Sequence, residues 1–299
     1  MAKKLVVIAG PTAVGKTTAA IALAQTWKTV ILSADSRQFF REMNVGTAKP
    51  SPEQQQLVRH YFIDSLSISD NYNAGDFERD ALLLLADLFQ RHDVVVLSGG
   101  SGLYIKALCE GMDNFPPVAP EIRQKLQRQY ETEGIAFLQK TLAQVDPTYF
   151  KQVDTNNPQR LLRALEVCHS TGKPYSSFLL KEPVQRPFQI VKIALNMPRE
   201  TLYRRINQRV ESMMQDGLLA EAQNLYPYRH LNALQTVGYQ ELFDFLDKKH
   251  TLDQAVALIQ QNTRRYAKRQ LTWLNKNREE WQWFLPNDVQ AMSNFAEQK

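Results

Sequence analysis

At 299 residues, 43% hydrophobic and 22% charged, the chain has an ordinary globular composition that can bury a sizeable core, in one large domain or a core with a smaller lobe. It has no run of about 18 or more apolar residues, which excludes a membrane-spanning helix. Two cysteines, Cys109 and Cys168, are too few for a disulfide framework or a structural zinc site, and the net charge of +5 matters mainly through its distribution, basic residues gathering in the C-terminal third.

Met1 to Gly10 places two lysines before an apolar stretch that is too short for a signal peptide, so retention in the cytoplasm is expected. Leu5 to Ala9 is a short apolar run, as suits a parallel strand covered on both faces. Thr17 to Thr26 reads as a helix with Ala19, Ala20, Leu23 and Ala24 inward. Val30 to Leu32 is a second buried strand and runs into Ser33-Ala34-Asp35-Ser36. A helix over Asp80 to Gln90 precedes a third strand, Val94 to Leu97, which ends in Ser98-Gly99-Gly100-Ser101-Gly102. This rhythm predicts an α/β fold with a parallel central sheet flanked by helices.

The composition changes at the proline cluster Phe115 to Pro120, beyond which the chain is mostly helical to about Gly172. A strand over Gln189 to Leu195 then returns to the core, and long helices over Arg199 to Tyr226 and Thr251 to Asn275 complete it. The expected organisation is a first core part over residues 1–115, a helical insertion over 116–187 and a second core part over 188–299.

Gly10-Pro11-Thr12-Ala13-Val14-Gly15-Lys16-Thr17 matches G-x-x-x-x-G-K-[ST] in full, with a strand before it and a helix after it. The glycines let backbone N–H groups curl around a phosphate, the helix N-terminus adds a positive dipole end, and Lys16 supplies a mobile cation. Thr17 offers a hydroxyl to Mg²⁺. The motif specifies a polyphosphate rather than ATP. Asp35, at the carboxyl end of its strand, is open to three roles: metal ligand, base towards a substrate, or cap of a turn. The third strand carries no carboxylate at its end, which speaks against an ATP hydrolase. Gly99 to Tyr104 is either a close-packed strand-to-helix turn or a surface for a bulky ligand. Arg264 and Lys268 share an outer helix face, Arg265 and Arg269 an adjacent flank, and Arg205 and Arg209 lie one turn apart. Each set is either a solvated basic face or a contact for RNA phosphate or a diphosphate. On the same C-terminal helix Leu252, Val256, Ile259, Tyr266 and Trp273 form a stripe that Thr263 and Gln270 interrupt.

Six segments in order, GPTAVGKT (10–17), SADSRQFFREMNVGTAKP (33–50), GGSGLYIKAL (99–108), NNPQRLLRALEV (156–167), VGYQEL (237–242) and TRRYAKRQLTW (263–273), resemble bacterial tRNA dimethylallyltransferases across nearly the whole chain. The resemblance implies a P-loop core with a helical insertion. It implies transfer of a dimethylallyl group from its diphosphate to the exocyclic amine of the adenosine 3′ of the anticodon, with Mg²⁺ as cofactor. It places the donor diphosphate on the P-loop, Thr12 to Thr17 above all, and makes Asp35 the general base. Contacts to the tRNA anticodon stem-loop are implied for Asp35, Ser36, Arg37 and Gln38, and for Ser101 and Arg123. Further contacts fall on Gln159, Arg160, Leu161, Leu162 and Arg163, and on Gln235, Thr236, Val237, Gly238, Tyr239 and Gln240. Val14 stands where many members have Ser, and Asp154 where many have His. A monomer that binds no membrane is expected. Two other readings use the same cradle: a P-loop kinase of a nucleotide or small metabolite, and a nucleotide-switched RNA-binding protein. Phe39 and Phe40 suit either base stacking or core packing.

Overall fold

The structure, a computed structural model, describes residues 3–179 and 182–299. They divide into two compact units: residues through Glu110 together with Gln185–Lys299, and Gly111–Val184.

In the first unit β1 (Lys4–Ala9) leads into α1 (Lys16–Thr26), followed by β2 (Ile31–Ala34), α2 (Pro52–Leu57), β3 (His60–Tyr61), α3 (Ala74–Arg91), β4 (Val94–Gly99) and α4 (Gly102–Glu110). The second unit supplies α5 (Pro120–Glu133), α6 (Ile135–Val145), α7 (Pro147–Phe150) and α8 (Pro158–Thr171). The chain then re-enters the first unit with β5 (Gln189–Leu195), α9 (Arg199–Gln215), α10 (Leu218–Leu225), α11 (Tyr239–Leu246), α12 (Leu252–Lys276), β6 (Gln282–Phe284) and α13 (Val289–Gln298).

The six strands pair in parallel in the order β3-β2-β4-β1-β5-β6. Strand alternation divides the core in two. Leu5, Val7, Val95 and Leu97 face Phe77, Leu85 and Leu88 of α3 and Ile105 and Leu108 of α4. Val6, Ile8, Val96 and Ile193 face α1, with Ile206 of α9 and Met292 of α13 in the same cluster. Burial on both faces explains why these strands read as unbroken apolar runs. Because every strand points the same way, the loops after β1, β2 and β4 gather at one edge, where open α/β sheets place their ligands.

A third cluster joins Val210, Leu218, Tyr239, Leu242 and Ile259 with Phe40 and Met43. Phe39 is fully buried and packs edge-on against Tyr72, and Phe40 is 4% exposed, so both are core residues and not stacking platforms. Several elements differ from expectation. The single helix expected over Arg199 to Tyr226 is broken after Gln215, because Gly217 takes a left-handed φ of 99°. Helix α3 starts at Ala74, six residues before the expected Asp80, where the Asn73 side chain accepts N–H bonds from Gly75 and Asp76. Strands β3 and β6, of two and three residues, have no readable pattern of their own.

In the second unit Leu126, Leu138, Leu142, Leu161 and Leu165 make a separate small core. Buried Asp146 organises it, accepting N–H bonds from Tyr149 (2.9 Å) and Ser176 (2.7 Å). Cys109 and Cys168 are both buried free thiols. No helix among the described residues is long and apolar enough to cross a membrane.

Candidate active site

The P-loop bends between β1 and α1 through two left-handed residues, Ala13 (φ 64°) and Gly15 (φ 110°). This turn presents the first N–H groups of α1, which lack helical acceptors. Lys16 folds back over the loop, donating to the carbonyls of Gly10 (3.0 Å) and Pro11 (2.9 Å). Burial lowers its pKa to about 8, against the raising effect of Asp35 and with Arg209 lowering it further. From α9, Arg209 donates to the Thr12 hydroxyl at 3.3 Å, and burial lowers its pKa too. Arg205 reaches the loop near Gly15. The loop therefore carries concentrated, poorly solvated positive charge, an arrangement that favours a polyanion.

The turn after β2 lines the same cavity as the P-loop. Asp35 accepts the Arg37 N–H at 3.0 Å, so it does cap its own turn, and its side chain also lines the cavity. The Ser36 N–H donates to the Ser101 hydroxyl (3.0 Å), which ties this turn to the loop after β4. Arg37 donates to the Asn232 carbonyl, and burial lowers its pKa. Gln38 accepts from Ser33 and donates to the carbonyls of Thr47 and Ala48, both at 3.2 Å. Tyr266 of α12 lines the same space; burial, reinforced by Asp35, raises its hydroxyl to about 12.

These groups enclose a cavity of about 530 Å³. Its lining is in part polar and cationic, from Thr12, Lys16, Arg205, Arg209 and Arg269 with Asp35, and in part apolar, from Ile206, Val210, Met213, Leu218 and Ile259. Helix α9 carries both characters, because Arg205 and Arg209 sit beside Ile206 and Val210. A small recess of about 40 Å³ behind it is lined by Thr17, Ser33, Asp35, His60 and Ser98.

The sequence-predicted residues divide clearly. Asp35, Arg37, Gln38, Gln235, Thr236, Val237, Gly238 and Gln240 line the cavity with the P-loop, as do Arg205, Arg209 and Arg269. Val14 is fully buried beneath the loop, its N–H turned to the Pro11 carbonyl, so it does not line the cavity. Tyr239 is also fully buried, its hydroxyl donating to Glu221 at 2.6 Å, so its side chain belongs to the core. Arg264 points elsewhere and donates to Asn207 at 2.6 Å. In the second unit Leu161 and Leu162 turn into its core, whereas Gln159, Arg160 and Arg163 face outward or partly outward. Arg123 is 64% exposed and forks onto Glu166 at 2.9 and 3.1 Å.

Two functional positions escape sequence reasoning. Glu221 accepts the N–H groups of Asn44, Val45 and Gly46 (2.9 to 3.0 Å), which pins the loop that carries Thr47 and Ala48 against the cavity. Nothing in its sequence context marks it. Gln270 showed only as a break in an apolar stripe, yet it bonds directly to the P-loop, accepting the Thr12 N–H at 2.8 Å.

The sequence model of the IPP transferase family matches residues 38–277. The chain belongs to that family. A tRNA dimethylallyltransferase of Christiangramia forsetii is 52% identical over 284 residues, covering 95% of this chain and 94% of the relative. One from Cytophaga hutchinsonii is 48% identical over 297 residues, covering 99% and 97%. Among solved structures, the full-length tRNA isopentenylpyrophosphate transferase of Bacillus halodurans superposes with a TM-score of 0.72 at 35% identity, covering 99% of this chain and 96% of that one. A eukaryotic dimethylallyltransferase acting on tRNA shares the fold, with a TM-score of 0.81 at 24% identity.

Proposed function

We propose that the chain transfers the dimethylallyl group of dimethylallyl diphosphate to the exocyclic amine of the adenosine 3′ of the anticodon in tRNA, releasing diphosphate. The observation that carries this reading is one cavity lined together by Lys16 and Arg209, by Asp35 and by apolar side chains. A prenyl diphosphate needs both kinds of lining at once: cations for its head and hydrocarbon for its tail.

The exocyclic amine is a poor nucleophile, since its lone pair is delocalised into the ring. Its nitrogen attacks the allylic carbon, the bond from that carbon to the diphosphate oxygen breaks, and the amine proton passes to Asp35. Lys16, Arg209 and the first N–H groups of α1 meet the charge that develops on the departing diphosphate. Asp35 as base contributes about 10²–10⁴-fold in the usual range for such groups. The base must leave the anticodon-loop stack to reach the cavity, at a cost of a few kcal/mol. Gln235 to Gly238, Gln240 and the outward arginines of α8 are the residues we assign to the RNA.

Mg²⁺ fits the recess beside the P-loop. Thr17 and Asp35 are hard oxygen donors there, and among the described residues no cluster of three or more His, Cys, Asp or Glu competes as a metal site. So few protein donors suit an ion that keeps several waters and binds substrate phosphates. When bound it supplies charge neutralisation at the diphosphate.

The test is transfer of label from dimethylallyl diphosphate to unmodified tRNA, with ATP and AMP as alternative substrates. Label in the tRNA that disappears with Asp35→Asn is the expected result. No label in any tRNA, with ATP consumed against a small acceptor, would replace this reading with a kinase.

A further inference from the structure

Gln270 lies where the apolar stripe of α12 should continue, and it is only 8% exposed. A buried amide is costly unless both of its ends are bonded. Here both are. Its Oε1 accepts the Thr12 N–H at 2.8 Å, and its Nε2 donates to the Gly100 carbonyl at 3.0 Å. The backbone partners dictate which end is which, one being a donor and the other an acceptor. Gly100 is shaped to admit it, since a Cβ there would stand 2.2 Å from Nε2.

The two partners belong to opposite sides of the reaction. Thr12 lies in the cradle for the donor, and its hydroxyl receives Arg209. Gly100 is followed by Ser101, whose hydroxyl holds the Ser36 N–H in the turn of Asp35. One side chain thus bridges the loop that carries the leaving group and the loop that steadies the base. An in-line displacement depends on that separation, because a misplacement of about 1 Å can cost about 10²-fold in rate. A leucine would fill the same space and complete the stripe, but it would leave the Thr12 N–H and the Gly100 carbonyl without this partner.

We propose that Gln270 is a positioning residue that sets the spacing between the donor cradle and the base-bearing turn. The inference rests on the prenyl-transfer reading. It is tested by steady-state and single-turnover transfer of labelled dimethylallyl groups to tRNA by the full-length enzyme and its Gln270→Leu and Gln270→Glu variants. Gln270→Leu is expected to lower kcat about 10²-fold, with KM for donor and for tRNA held within about threefold. Gln270→Glu still accepts from Thr12 but donates to Gly100 only when protonated, and burial raises a carboxyl pKa. Its rate relative to wild type is therefore expected to rise as pH falls, and this variant carries the test if Gln270→Leu does not fold. A role in packing alone gives a flat ratio. That result, or a kcat near wild type in both variants, or a donor KM that rises in step with the lost kcat, would overturn the inference while wild type still labels tRNA. A wild type that labels no tRNA would overturn the transferase reading as well.

Discussion

The loops after β1 and β4 leave adjacent strands at the same edge of the sheet, both are rich in glycine, and both open a helix. They use their glycines differently. In the P-loop, Gly15 is required by its backbone conformation, with φ at 110° and the nearest atom to a Cβ, from Pro286, 3.2 Å away. In the β4 loop the space beside each glycine is already taken by protein: Ala34 at Gly99 (2.2 Å), Gln270 at Gly100 (2.2 Å) and Trp273 at Gly102 (2.4 Å). Its glycines fill the close-packing role expected for that loop.

The difference is sharpest in the effect of removing the charge that the first loop holds. Lys16→Ala is expected to lower kcat/KM about 10²–10³-fold, in the range for loss of one electrostatic contact to developing charge. Thermal unfolding should not move downward, because a buried ammonium is removed. A loss of Tm in parallel with activity would mean that Lys16 supports the fold instead.

The same lysine gives the free enzyme a pH limit. With its pKa lowered to about 8 by burial, Lys16 loses its proton above that value, and on the proposed reading donor binding is expected to go with it. We expect kcat/KM for the donor to fall about tenfold per pH unit above about 8, while kcat stays level to higher pH, since bound diphosphate keeps the proton on. The folded pKa lies below the ordinary 10.5, so the folded state binds this proton less well than the unfolded chain. The resulting penalty is fully present below pH 8, and stability of the free enzyme gains between about 8 and 10.5 from this group. Lys16→Arg should abolish the decline in kcat/KM. A decline that persists in that variant would assign it to another group.

The second loop should respond through packing. Gly102→Ala forces a methyl into the Trp273 ring and is expected to cost about 1–3 kcal/mol in urea unfolding. Adding Trp273→Leu should return part of that loss, because the conflict is with one side chain. At Gly15 no trimming of Pro286 should rescue an alanine, because the backbone itself is strained. Rescue at Gly15 and none at Gly102 would invert the comparison.

These differences also explain what the sequence disclosed. The P-loop is contiguous, and its chemistry follows from residue spacing, so eight residues in a row were enough. The strands β1, β4 and β5 were legible because parallel sheets bury both faces. The links that join the loops were not, since they run between distant segments. Glu221 meets Asn44 across 177 positions, and Gln270 meets Thr12 across 258. Neither spacing carries a pattern. Tyr239 lay inside a segment expected to meet RNA, and only the folded chain shows its ring against Gly46, where a Cβ would stand 2.6 Å from it. Polar breaks in an apolar stripe were the one visible trace of such links, and Thr263 and Gln270 both border the cavity.

The smallest effect is expected at Ser101. The family resemblance places it at the tRNA surface; in the structure its hydroxyl accepts the Ser36 N–H and donates to the Ser36 hydroxyl at 3.3 Å. Ser101→Ala removes both neutral hydrogen bonds to Ser36, at about 0.5–1.5 kcal/mol each, and loosens the turn that carries Asp35. The rate should fall severalfold through kcat, with KM for tRNA unchanged, because the residue acts by holding Asp35 in place. A rise in KM for tRNA at constant kcat would instead put the hydroxyl on the RNA, and the β4 loop would then share the ligand-facing character of the P-loop.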